Sequence, residues 1–243
     1  MSNVIPTDLG DIEAVLRAAT RSVEAQQART NPPPEGPSGP GELARQLDHL
    51  LDLAHRVETP GGAAVEGDRA ALAEQAPALL EGLDGWLGRL GLGALRDGLD
   101  RGAAGLAVWL VRKGATLTRL EPFIDALARV ANRIREPAAL ATLSDLMGEV
   151  LGGVTAPPRA GPVSRHPRDP WRLLNLNHGI VATRSHDPQR MEAAFATLVR
   201  NLPGDAAAFF QEGMGQMEAL SYPPEVRAVM ERYYRDWSAR TLH

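Results

Sequence analysis

The chain has 243 residues, no cysteine, an apolar share of 44% and a formal net charge of -4. That length holds one large core or two small ones, and the apolar share argues against wholesale disorder. Without cysteine there are no disulfides, no thiolate catalysis and no Cys-ligated metal.

The charge is unevenly spread. Residues 1–158 carry 15 basic against 21 acidic side chains, and residues 159–243 carry 11 against 9. An excess of two is too small for a nucleic-acid-binding face, so no nucleic-acid partner is expected. The densest basic stretch, Arg159, Arg165, His166, Arg168 and Arg172, reads as a solvated linker rather than a phosphate-binding segment. Lys113 is the only lysine, which reads as the codon bias of a GC-rich bacterial genome. Residues 1–10 lack a basic start followed by an apolar stretch, and no run of eighteen uncharged apolar residues occurs. The expectation is a cytoplasmic chain with no membrane span.

Two Pro-rich interruptions divide the sequence. The division predicts an N-terminal amphipathic arm over 1–30, a Pro-rich spacer over 31–41 and a Leu/Ala/Gly-rich helical region over 42–154. A Pro/Arg linker over 155–170 and an aromatic-rich helical-hairpin region over 171–243 follow. In the arm, Ile12, Val15, Leu16, Ala19 and Val23 form one stripe of a helix over 11–29. Prolines at 32, 33, 34, 37 and 40 then forbid helix, which makes the arm a candidate docking element, with folding back onto the body as the plainer alternative.

Residues 42–58 give the cleanest amphipathic helix, with Leu43, Leu47, Leu50, Leu51, Ala54 and Val57 on one face. Asp48, Asp52 and His55 lie opposite at a spacing that suits a divalent metal, but on the solvent side, where a charged outer surface is the better reading. Residues 68–114 predict one or two helices that break near Gly91-Leu92-Gly93. Gly82, Gly85, Gly88 and Gly91 recur every third residue at a cost of about 0.5–1 kcal/mol each against alanine, which points to close helix–helix approach. No Gly-Lys-Ser/Thr follows them, so they form no phosphate loop. Residues 120–135 and 137–154 predict two further helices joined at Glu136-Pro137.

The C-terminal region holds eight of the eleven aromatics and four helix starts, the clearest being Asp187-Pro188. Starts recur about every 18 residues, close to the half-period of helical-hairpin repeats. The tetratricopeptide consensus, aligned on Gly179, is met at Phe195 and Pro203 and missed at most other positions, so no family is assigned. A helical-hairpin architecture remains.

The most site-like stretch is 175–187, with Asn175, Asn177, His178, Arg184 and His186. The two histidines could ligate a metal or serve acid–base chemistry. Against that, no HExxH or Gly-x-Ser-x-Gly signature is present, and the plainer reading is that Asn175, Asn177 and His178 satisfy buried partners while Asp187 caps a helix. Phe209, Phe210, Tyr233, Tyr234 and Trp237, with Met191, Met214, Met217 and Met230, form either a core or a groove for a peptide or helix. Adjacent positions 209 and 210 cannot both face one seam, so one of the two phenylalanines is expected to meet something else.

These readings predict an all-α protein, a helical bundle followed by a four-helix, hairpin-built C-terminal region. The expected function is that of a non-catalytic helical adaptor or assembly factor that binds another protein through its C-terminal surface. Catalytic residues, metal and cofactor are expected to be none, and self-association stays open. The alternative is a metal- or small-ligand-binding protein or enzyme using 175–187.

Overall fold

The computed structural model describes residues 4–30, 39–59, 65–154 and 168–238. The fold is all-α, with ten α-helices and no strand among the described residues. None of those helices is long and apolar enough to cross a membrane. The chain divides into two compact units, one of residues 1–130 and 152–155, the other of residues 131–151 and 156–243.

In the first unit, α1 (Leu9–Thr30) and α3 (Val65–Arg89) each pack against both α2 (Pro40–Glu58) and α4 (Arg96–Arg112). Every residue of α4 from Gly102 to Leu110 is buried, because the glycines and alanines of its middle turn, Gly102 to Gly105, let neighbouring segments close onto its backbone. A Cβ at Gly102 would lie 2.8 Å from Val15, and one at Gly105 would overlap the Pro6 carbonyl, so α1 and the segment before it sit directly on the α4 backbone. Ile12, Leu16, Ala19 and Val23 are the buried edge of α1. The expected N-terminal arm is thus part of the body, packed against α2 and α4. Its outer edge is held by ions: Arg17 pairs with Glu13 and Asp48 at 2.7 Å each, and His55 meets Glu13 at 3.1 Å.

The glycine stripe of α3 behaves differently from the expectation. Gly82 alone approaches another helix, where a Cβ would run into Leu43. Gly85 and Gly88 face only the ends of the Arg89 and Arg96 side chains, and Gly91 has no neighbour in reach. Gly91 instead ends the helix at φ +67°, with the Leu92 N–H donating to the Leu87 carbonyl at 2.9 Å. That is the reversal a left-handed residue after a helix produces, and it places the predicted break. After α4, the Leu117 N–H donates to the Gly153 carbonyl at 3.1 Å, which ties residues 152–155 to this unit.

The division falls inside α5 (Glu121–Arg133), not in the expected linker over 155–170, whose residues 155–167 lie outside the described ones. Residues 31–38 of the expected spacer lie outside them as well. The second unit therefore includes most of α6 (Pro137–Gly152), which the sequence placed with the central region. Physical ties explain the shift. Arg184 donates to the carbonyls of Ala131 and Ile134 at 3.1 and 2.9 Å, and Arg190 pairs with Asp145 at 2.7 Å.

The rest of that unit is two helical hairpins, α7 (Pro170–Arg184) with α8 (Pro188–Asn201), and α9 (Pro203–Ala219) with α10 (Pro224–Ser238). All four begin with proline at the first helical position, where the missing N–H costs nothing. Asp169 and Asp187 cap α7 and α8, Asp187 by accepting from the N–H groups of Gln189 and Arg190. The core is Met191, Phe195, Leu198, Ala206, Phe210, Met217, Val226 and Met230, all 1% exposed or less. Phe195 meets Phe209, Phe210 and Tyr233 edge-on at centroid distances of 5.1–5.8 Å, a favoured aromatic arrangement.

Candidate functional site

The stretch 175–187 winds through α7 and its C-terminal turn, so its polar residues point to different places. Asn175 is buried and spent: its amide donates to the Trp171 carbonyl at 2.9 Å, and its oxygen accepts from Asn201 at 2.8 Å. Asn177 is half-buried. His178 is 7% exposed and faces α6, with the Gly148 backbone beneath its ring. Burial pushes its pKa down to about 4, against the opposing pull of a hydrogen bond with the Ser144 backbone and of the Asp145 carboxylate. Its Nδ1 has no hydrogen-bond partner.

His186 is exposed, in the left-handed region at φ 56°, and its ring meets Tyr222 edge-on at 5.1 Å. One histidine is thus inside and the other in an outer turn. No group of three His, Asp or Glu side chains among the described residues could hold a metal. At the other suggested spacing, Asp48 and His55 are engaged by Arg17 and Glu13.

The two phenylalanines separate as their spacing requires. Phe210 is in the core, while Phe209 is half-buried and lies over Gly179, where a Cβ would be 2.7 Å from its ring. Tyr233 packs on Phe195 and Phe210, Trp237 is half-buried against the core, and Tyr234 is exposed on α10.

Phe209 forms part of the floor of a groove of about 340 Å³ within the second unit. Met230 completes the floor, and Gly213 lets it do so, since a Cβ there would lie 2.6 Å from the Met230 thioether. One wall is α7, through Ile180, Thr183 and Arg184. The other is one face of α9, where Glu212, Gly213 and Gln216 follow Phe209 turn by turn, and Leu220 and Tyr222 close the end. Of the residues expected at a site, Arg184 and Phe209 line this groove, as does Met230 of the expected methionine set; Asn175, Asn177, His178, His186, Phe210, Tyr233, Tyr234 and Trp237 do not.

The groove is apolar at its base and sparsely charged at its rim. Ile180 and Leu220 are 46% and 52% exposed, and with Tyr234 they are the exposed large hydrophobics among the described residues. Several polar groups are already committed. The Thr183 hydroxyl donates to the Gly179 carbonyl at 2.8 Å, and the Arg184 amino groups cap α5 as described above. Burial pushes the Tyr222 phenol up, partly offset by the Arg184 charge nearby. Glu212 is exposed and makes no ion pair among the described residues. Sequence reasoning missed Ile180, Glu212, Gly213, Gln216, Leu220 and Tyr222. The available signal was Ile180 itself, an isoleucine between Gly179 and the buried Val181 on a helix side with no partner.

The first unit has a smaller cavity of about 120 Å³ lined by Glu81, Asp84, Asp100, Glu121, Asp125 and Arg129 among others. Its carboxylates are largely neutralised: Arg119 pairs with Glu81, Arg96 with Asp84 and Arg129 with Asp100. That is the pattern of a structural ion-pair network. No family model matches this chain, and no curated protein and no solved structure matches it either.

Proposed function

We propose that the chain is a non-catalytic, cytoplasmic helical adaptor that binds another protein through the α7–α9–α10 groove of its second unit. One observation carries the reading: two of the three exposed large apolar side chains among the described residues, Ile180 and Leu220, line a single groove. Scattered exposed hydrophobics need no explanation, whereas a set converging on one concavity marks an interaction surface. A pocket for a small molecule hides its apolar side chains within; here they stand at the rim, where a larger partner covers them. Met230 on the floor suits this use, since an unbranched thioether adapts to irregular partners. The groove offers no nucleophile with an adjacent base, and His178, the most perturbed titratable group of the stretch, faces α6 instead.

The test is site-specific photo-crosslinking in the host, with a benzophenone amino acid at Leu220 and, as control, at Tyr234. The expected result is a polypeptide adduct from position 220 alone, reduced about tenfold by Ile180→Asp, the effect of ~1.4 kcal/mol. Adducts of equal yield from both positions, or indifference to Ile180→Asp, would sink the reading. A small molecule retained on native mass spectrometry and lost in Leu220→Asp would replace it with the ligand-binding alternative.

A further inference from the structure

We infer that the occupant of the groove is an amphipathic helix of the partner, with apolar anchors about one turn apart and a lysine or arginine that meets Glu212. This rests on the docking reading above and names the chemistry that would satisfy it.

Of the two charged residues that line the groove, Arg184 keeps its charge but is held in place by the carbonyls of Ala131 and Ile134, so its donors are committed within the fold. Glu212 is exposed and makes no ion pair among the described residues. The rest of α9 offers it no help, since Pro203–Ala219 contains no lysine or arginine. The charged group free to meet a partner is therefore the Glu212 carboxylate, and the group that complements it there is a cation.

An extended peptide gains affinity by adding to a sheet edge, and no strand exists among the described residues to receive it. The walls are helices whose own backbone groups bond internally, so recognition must come through side chains. The groove is apolar below and closed by Phe209 and Met230, which suits anchors projected from one face of a helix. Leu220 follows the last residue of α9, eight residues after Glu212, or about 12 Å at 1.5 Å per residue. A helix laid along this wall would place its cation about two turns from the anchor that covers Leu220.

The experiment is selection from a displayed library of helical peptides of about sixteen residues against the full chain, repeated against Ile180→Asp, Leu220→Asp and Glu212→Lys. All three substitutions are at exposed positions, and circular dichroism and melting confirm that each variant keeps its fold. Enriched peptides are expected to carry paired apolar anchors and a basic residue at one fixed position relative to them. They should lose roughly tenfold or more in affinity on both aspartate variants. Selection on Glu212→Lys should exchange the basic residue for an acidic one at the same position.

Enrichment with no preferred charge, or unchanged preference on Glu212→Lys, overturns this inference while the docking reading stands. Peptides that bind the aspartate variants as well as the parent overturn the docking reading itself. If no helical peptide is enriched, the occupant is not a helix and the inference falls, while crosslinking at position 220 still decides whether a protein docks there.

Discussion

At position 178 a histidine is buried with Nδ1 unpartnered, and that single side chain ties the stability of the second unit to pH. Its folded pKa of about 4 lies below the ordinary value of 6.5 because burial disfavours the imidazolium. Between those values the unfolded chain binds a proton that the folded chain refuses. Stability is therefore fully present above pH 6.5 and is lost as pH falls toward 4. A depression of that size is worth about 3 kcal/mol. Urea unfolding from pH 7 to pH 4 should show this loss in the parent. In His178→Leu the slope over the same range should be shallower by about that amount, although the variant gives up the Ser144 contact. Equal slopes would mean that the ring is already solvated in the folded state. Asn175, three residues earlier, illustrates the contrasting solution, a buried polar group with both its donor and its acceptor occupied.

The helices were largely legible because their signals are local. Asp187-Pro188, Pro203 and the Pro223-Pro224 pair marked helix starts through backbone chemistry that needs no tertiary context, and each of α8, α9 and α10 begins there. The role of a helix was less legible than its presence. The stripe of α1 is the same whether it meets a partner or its own body, and the prolines after it say only that the chain leaves the helix. What decides is the Gly102–Gly105 face of α4, about ninety residues away, which accepts α1 at backbone distance. The glycines of α3 misled for the related reason that an exposed glycine and a packed one look alike in sequence. The α1 assignment has a sharp consequence. Leu16 is 0% exposed, so Leu16→Ala should cost about 2–5 kcal/mol in chemical unfolding of the whole chain. A detachable arm would tolerate that change with no measurable loss.

At the scale of the whole molecule, the boundary between units and the groove share one property: neither is written in any contiguous stretch. The groove joins Ile180 of α7 to Leu220 and Tyr222 across some forty residues, and its floor needs Gly213 opposite Met230. The 175–187 stretch drew notice for its polarity, yet Asn175, His178 and Arg184 hold α7 to its neighbours while Thr183 and Ser185 bond back to carbonyls of α7 itself. The same bonds account for the division by packing falling inside α5. Composition changes at 155–170, but Arg184 reaches Ala131 and Ile134, Arg190 reaches Asp145, and His178 lies on Gly148. A fragment of residues 168–243, cut where composition suggests, leaves the His178 face of α7 uncovered and the Arg184 donors without their carbonyls. A fragment of residues 131–243 keeps all of these partners. The longer fragment should unfold in one cooperative thermal transition, whereas the shorter should melt at least about 10 °C lower, as loss of ~2 kcal/mol or more does in a domain of this size. Equal melting of the two would show that the four hairpin helices are self-sufficient and that residues 131–151 only lean against them.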